Sequence, residues 1–196
     1  YVEGNGYMVT WTFGNMLSLA MPKDYGTQKL ERNDFPFIPS EFELMVRHTR
    51  TENGWIPDID AVLQFKVIER VFQACDTIIA ATDASRDGEM TFRYVYQYLN
   101  CTQPCFRLWI FSLTDESVRK GMENLKPDSC YDSLFLAADS RNKADWLLGI
   151  NASYAMCKAT GLVLCCYVLA AALVNCRLRP AHERPSARAG AAAFAA

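Results

Sequence analysis

The stretch that most restricts the fold is Thr77 to Glu89, Thr-Ile-Ile-Ala-Ala-Thr-Asp-Ala-Ser-Arg-Asp-Gly-Glu. An unbroken apolar run, Thr77 to Ala81, has the length and composition of a strand buried on both faces of a parallel sheet. It breaks into a polar turn with three carboxylates, Asp83, Asp87 and Glu89, and one guanidinium, Arg86. Helical spacing then resumes from Met90 to Leu99. Strand, acidic turn and helix in that order put the carboxylates beyond the carboxyl end of a strand, where open α/β sheets bind ligands. Hard oxygen donors crowded there suit Mg²⁺, which takes one or two carboxylates and leaves its other positions to water and phosphate. A solvated acidic turn with no ligand fits the same residues equally well.

The flanking chain supports an α/β reading. Tyr7 to Trp11 is a β-branched and aromatic strand behind the Gly4-Asn5-Gly6 turn. Phe35-Pro36-Phe37-Ile38-Pro39 is extended, because each proline biases its predecessor away from helix. Phe42 to Arg47 alternates as a strand, and Thr51 to Pro57 reads as a loop. Val62, Phe65, Ile68 and Phe72 mark a helix with one apolar side. Phe106 to Phe111 is a further buried strand, followed by a helix capped by Thr114 with Asp115 and Glu116 in its first turn, ending near Leu125. Alternating strands and helices indicate βαβ units and a mainly parallel sheet.

A long helical pattern covers Tyr131 to about Lys158 and places Arg141 and Asp145 on one face, four residues apart. Taken alone, that pair reads as a surface ion pair worth roughly 0.3–0.5 kcal/mol. The run Leu162 to Val174 is almost wholly apolar but short of the roughly 20 residues that span a bilayer, and the Arg, Pro and Ala-rich remainder reads as disordered. A net charge of −2 gives no global basic field for nucleic acid, though a local groove is compatible with it. The eight cysteines form no C-x-x-C pair, and His48 and His182 stand far apart, so no zinc spacing arises; scattered thiols fit a reducing cytoplasm.

Five segments, taken in order, resemble the type IA DNA topoisomerases, in particular the bacterial topoisomerase III branch, over residues 1 to 157. Glu3 to Trp11 with Phe13-Gly14 is similar to a strand region of the family's Toprim domain. Phe35 to Pro39 is similar to its Leu-Pro-Ile-x-Pro loop, and Ala81 to Glu89 to its acidic motif. Arg107 to Thr114 resembles the strand and turn that follow. Arg141-x-x-Ala144-Asp145-Trp146-Leu147-x-Gly149-Ile150-Asn151 resembles the helix opening the domain that holds single-stranded DNA.

The resemblance implies a Toprim-type, Rossmann-like, mainly parallel α/β sheet followed by a long helix of a second, helical domain. The boundaries expected are 1–126 for the Toprim domain, 127–160 for the start of the helical domain, and 161–196 for a tail foreign to the family pattern. It implies an ATP-independent enzyme that cuts one DNA strand through a 5′-phosphotyrosine and reseals it with Mg²⁺, acting in the bacterial cytoplasm without a membrane or a stable protein partner. The catalytic candidates are Asp83, Arg86, Asp87 and Glu89, with Glu89 standing behind the others. Asp83 and Asp87, with Ser85, are the metal ligands implied; Arg141, Asp145 and Asn151 are the DNA contacts.

Several positions depart from the family pattern. Ser85 stands where an Asp or Gly is usual, Asp87 where a Glu is usual, Asn15 for a His and Tyr154 for an Arg. The family's strand glutamate is expected upstream of Tyr1, and no tyrosine sits in a Tyr-Pro-Arg-Thr-type context, so the chain alone is expected to be inactive. Two other readings stay open: a non-catalytic module binding Mg²⁺ or single-stranded DNA, and another Toprim protein such as a primase or an OLD-type nuclease. Residues 141 to 151 discriminate, since those relatives have no such helix after the sheet.

Overall fold

The computed structural model describes residues 1–26, 34–52, 54–160 and 191–195, which divide into two compact units. The first comprises the described residues within 1–18, 44–139 and 189–196, and the second those within 19–43 and 140–188. The polar loop expected at Thr27 to Asn33 and the apolar run Leu162 to Val174 lie outside the described residues. Among the described residues, no helix is long and apolar enough to cross a membrane.

The first unit is α/β, as the strand and helix periodicities imply. Its elements begin with β1 (Val2–Gly4), β2 (Tyr7–Thr12), β3 (Leu17–Leu19), β4 (Leu44–Val46), β5 (His48–Thr51), β6 (Gly54–Pro57) and α1 (Ile59–Gln73). They continue with β7 (Ile78–Ala81), α2 (Arg86–Tyr98), β8 (Cys105–Arg107), α3 (Asp115–Glu123), β9 (Lys126–Pro127) and, from the end of the chain, β10 (Ala191–Ala195). One sheet runs in the order β1-β2-β10-β7-β8-β9. Among the described residues, parallel pairing in this sheet is confined to β7 and β8, with Ile78 opposite Cys105 and Ala80 opposite Arg107, while its other ladders are antiparallel. β10 lies between β2 and β7 and pairs with both, Ala193 facing Thr10 on one side and Ala80 on the other. Within the stretch expected to be a disordered tail, residues 191–195 are therefore a strand.

Two local expectations change. Thr51 to Pro57, expected as a loop, contributes to the β5–β6 hairpin, in which His48 faces Pro57 and Thr49 faces Ile56. β5 is the polar run His-Thr-Arg-Thr and β6 is Gly-Trp-Ile-Pro, so neither carries the apolar–polar alternation that announces a strand. The strand expected at Phe106 to Phe111 stops at Arg107.

α1 starts where Asp58 accepts hydrogen bonds from the backbone N–H groups of Asp60 and Ala61, at 3.1 and 3.4 Å. It buries Ala61, Phe65, Ile68, Val71 and Phe72, a three-and-four spacing that lays one stripe on the core. α2 adds Met90, Phe92, Tyr94 and Val95, and β7 contributes Ile78 and Ala80. Buried together, these side chains fix β7 in place, and with it the turn at its carboxyl end. Cys101 and Cys105 sit in this apolar setting, and burial raises their thiols to about 11 and about 12.

α4 (Asp132–Thr160) runs from the first unit, to which residues up to Asp139 belong, into the second. In the second unit, aromatic rings gather around the Phe35 to Pro39 loop. Phe35 stacks on Tyr154 at 3.4 Å between centroids, Phe37 lies 6.0 Å from Trp146, and Phe42 meets Trp146 edge-on at 5.5 Å.

Candidate active site

β7 delivers the chain to Thr82, and four residues later α2 begins. Ser85 is the residue that starts the helix. Its backbone is extended and its Oγ accepts the Gly88 N–H at 3.0 Å, satisfying one of the orphan donors of the first turn. The turn is drawn tight by the Ser85 N–H donating to the Asp83 carbonyl at 2.7 Å and by Thr82 Oγ1 donating to the Gly88 carbonyl at 2.8 Å. Gly88 is required here by close approach: a Cβ on it would collide with the backbone carbonyl of Asp83.

This geometry sorts the acidic residues. Asp83, Ser85, Arg86 and Asp87 are exposed along the turn and the first turn of α2. A carboxylate in that first turn is favoured by the positive end of the helix dipole. Glu89 points the other way. It is 0% exposed, and its two oxygens each receive a guanidinium, Oε2 from Arg107 Nε at 2.9 Å and Oε1 from Arg93 Nε at 2.9 Å. It thus lies behind the turn, as part of the interior.

Arg107 is the residue that sequence reasoning left without a role. Its side chain is wholly buried at the end of β8. One terminal nitrogen donates to the carbonyls of Ala80 and Thr82, at 2.9 and 2.8 Å, and the other donates to the Asp83 carbonyl at 2.7 Å. The guanidinium therefore ties the end of β7 and the backbone of Asp83 to the neighbouring strand. Burial pulls the Arg107 pKa down, and the Glu89 carboxylate opposes that pull. The signal was available in sequence: an arginine inside an apolar strand needs a buried anion, and Glu89 recurs on the helix interior. Arg93 widens the network through Asp128 at 3.3 Å and Asp132 at 2.8 Å. Asn15 joins the same end: Thr91 Oγ1 lies 2.6 Å from its Oδ1 and 2.8 Å from the Asp87 carbonyl, and its one proton serves one of these acceptors at a time.

Among the described residues, no group of three or more His, Cys, Asp or Glu side chains is gathered as a closed metal cage. The turn carries two exposed carboxylates, Asp83 and Asp87; an ion bound by carboxylates so few would keep most of its shell for water and phosphate. Ser85 Oγ is engaged as the helix cap.

The candidate DNA residues lie in the second unit. Arg141 Nε and Asp145 Oδ2 are 3.8 Å apart on the exposed face of α4, a loose pair that leaves both groups in reach of solvent. Asn151 has a structural partner: its Oδ1 accepts the Phe37 N–H at 2.7 Å, and its Nδ2 donates to the carbonyls of Phe37 and Leu147 at 3.1 and 2.9 Å. The side-chain amide thereby clamps the Phe35 to Pro39 loop.

DNA topoisomerase 3 of Shouchella clausii (strain KSM-K16) is 34% identical over 172 residues, 85% of this chain and 22% of that protein. The DNA topoisomerase 3 of Bacillus anthracis is 35% identical over 160 residues, 80% of this chain and 20% of the relative. That of Bacillus licheniformis is 34% identical over 170 residues, 85% and 22% respectively. The chain thus spans about a fifth of the length of these curated relatives. The Toprim domain family matches residues 1–113, the span that holds β7, the acidic turn, α2 and Arg107. With more than half of its residues covered by that match and its sheet, turn and helix in the order described, the chain belongs to the Toprim domain family.

Proposed function

We propose that this chain is part of a type IA DNA topoisomerase and supplies its phosphodiester-handling acidic turn. The observation that carries the reading is the pair of exposed carboxylates, Asp83 and Asp87, on a turn whose backbone is clamped by Arg107 and Ser85. The similarity to proteins named DNA topoisomerase 3 supplies the reaction class. On this reading residues 1–126 act as the Toprim domain and 127–160 open a helical domain for single-stranded DNA, in the cytoplasm.

Asp83 and Asp87 would hold Mg²⁺, and the ion would supply orientation of the phosphate and screening of its charge. Arg86, exposed beside them, neutralises a non-bridging phosphate oxygen. Ser85 shapes the turn through its cap, and Glu89 keeps Arg107 charged so that the Asp83 backbone stays in position. Arg141 meets a backbone phosphate, with Asp145 restraining its side chain when DNA is absent. Asn151 acts by holding the Phe37 loop. The strand-cutting tyrosine is not among the tyrosines of this chain.

Titration of the chain with Mn²⁺, followed by paramagnetic relaxation with Mg²⁺ as competitor, tests the assignment. Asp83→Ala and Asp87→Ala each weaken binding by about tenfold or more, because each removes one of two charged ligands. Arg141→Ala lowers the salt dependence of oligonucleotide binding by about one phosphate contact, and no variant forms a covalent DNA adduct. Unchanged Mn²⁺ affinity in both aspartate variants, or an adduct formed by this chain alone, refutes the reading.

A further inference from the structure

Leu108 is buried and its N–H donates to the Ala80 carbonyl at 2.9 Å, so β7 and β8 end at the same level of the sheet. The next residues therefore emerge beside the acidic turn. Trp109 is the first large ring there. It stacks on Tyr131 at 4.8 Å and 19° between planes, and the Arg107 guanidinium lies 5.0 Å from its centroid. Phe111 meets Trp109 at a right angle, 6.4 Å between centroids, and is itself 87% exposed. Leu113, two residues on, is 86% exposed.

We propose that Phe111 is a stacking platform for an unpaired base of the nucleic acid whose phosphate is handled at Asp83 and Asp87, an inference that rests on the function proposed above. Area decides between this occupant and a protein. An exposed aromatic ring offers roughly 150–250 Å², and with the smaller Leu113 beside it the patch stays well short of the roughly 800 Å² that each partner of a stable protein interface buries. Their neighbours Ser112, Thr114, Asp115 and Glu116 are exposed and polar, so the apolar patch does not extend. A single base needs only one ring face, and stacking tolerates any base because each has a π-face. The perpendicular contact with Trp109, which Tyr131 and Arg107 hold in turn, gives the ring a rigid backing. Arg86 supplies an exposed positive charge at the same end of the sheet for the adjoining phosphates.

The test compares fluorescence anisotropy of a labelled single-stranded oligonucleotide with that of an abasic deoxyribose-phosphate oligomer of equal length, in Mg²⁺. Phe111→Ala weakens binding of the base-bearing strand by about 5- to 150-fold, the range of one stacked base, and leaves the slope of affinity against salt unchanged, since no phosphate contact is lost. Phe111→Trp retains affinity. The unsubstituted chain prefers the base-bearing strand, and Phe111→Ala abolishes that preference. Because Phe111 is exposed, circular dichroism of each variant matches the parent.

Equal affinity of the parent for both oligomers overturns the inference, as does a Phe111→Ala variant that binds like the parent. So does a loss of self-association in place of a loss of DNA binding, which makes the pair a contact between copies. The Mn²⁺ titration separates the two ideas: failure here with Mn²⁺ binding intact removes the platform and leaves the acidic turn, and the converse result removes the turn.

Discussion

Replacing Glu89 by glutamine tests the claim that this carboxylate belongs to the interior and not to the phosphate site. The side chain keeps its size and loses its charge. Arg93 remains paired, with Asp128 and Asp132 both in reach. Arg107 does not: its other partners are the backbone carbonyls of Ala80, Thr82, Leu108 and Asp83, so a wholly buried cation is left without a counter-charge. The new amide also has one oxygen for two guanidinium donors, and its NH₂ faces the second. Breaking a buried pair from one side costs about 3–5 kcal/mol, a large share of the roughly 5–15 kcal/mol that holds a domain together. With a urea slope of about 2 kcal/mol per molar, the unfolding midpoint drops by roughly 2 M. The combination Glu89→Leu with Arg107→Met recovers much of this, since an apolar pair of similar volume replaces both charges. Urea titration followed by far-ultraviolet circular dichroism reads both variants against the parent. A Glu89→Gln midpoint within about 0.3 M of the parent, on the same slope, combined with lost Mn²⁺ affinity, refutes the reasoning and places Glu89 at the metal.

Two further outcomes follow from the geometry. Gly88→Ala, which in an ordinary helix interior stabilises by about 0.5–1 kcal/mol, here lowers the melting temperature and weakens Mn²⁺ binding, because the new Cβ displaces the Asp83 carbonyl; a raised melting temperature contradicts this. Asp58 is held below its ordinary carboxyl value of 3.8, first by its hydrogen bond from Arg47, with burial opposing and the cap N–H groups of Ala61 and Asp60 assisting. Its folded value is the lower one, so its stabilisation is complete above the unfolded value and is lost as pH falls through the folded one. The melting temperature of Asp58→Asn should therefore fall below the parent's at about pH 6, and the gap should narrow as pH falls below the unfolded value of 3.8; a gap that stays constant into acid contradicts the cause given.

The central unit of strand, turn and helix was legible because β7 is apolar throughout and α2 has a regular stripe, two signals that depend only on neighbours in sequence. Helix α2 nevertheless starts at Arg86, ahead of the apolar periodicity, because the hydroxyl of Ser85 caps it; a serine weighed as a metal ligand hides its commoner role. Arg107 carries no local sign of its role, since its partners sit on a helix and a turn elsewhere in the chain. Asn151 is expected from sequence to contact DNA; its amide also bonds the backbone of Phe37, a contact across more than half the chain that no local pattern reveals. The β5–β6 hairpin escaped because its side chains do not alternate.

The placement of β10 sets the order in which this sheet can be completed. The β1–β2 hairpin and the β7–β8–β9 portion share no ladder of their own, and both wait for residues 191–195, the part of the chain most distant in sequence from β2. Until that segment arrives, a folding molecule presents the bare edges of β2 and β7, each an available template for a strand from another copy. High dilution during refolding therefore favours the native sheet, and crowded refolding favours aggregates joined edge to edge.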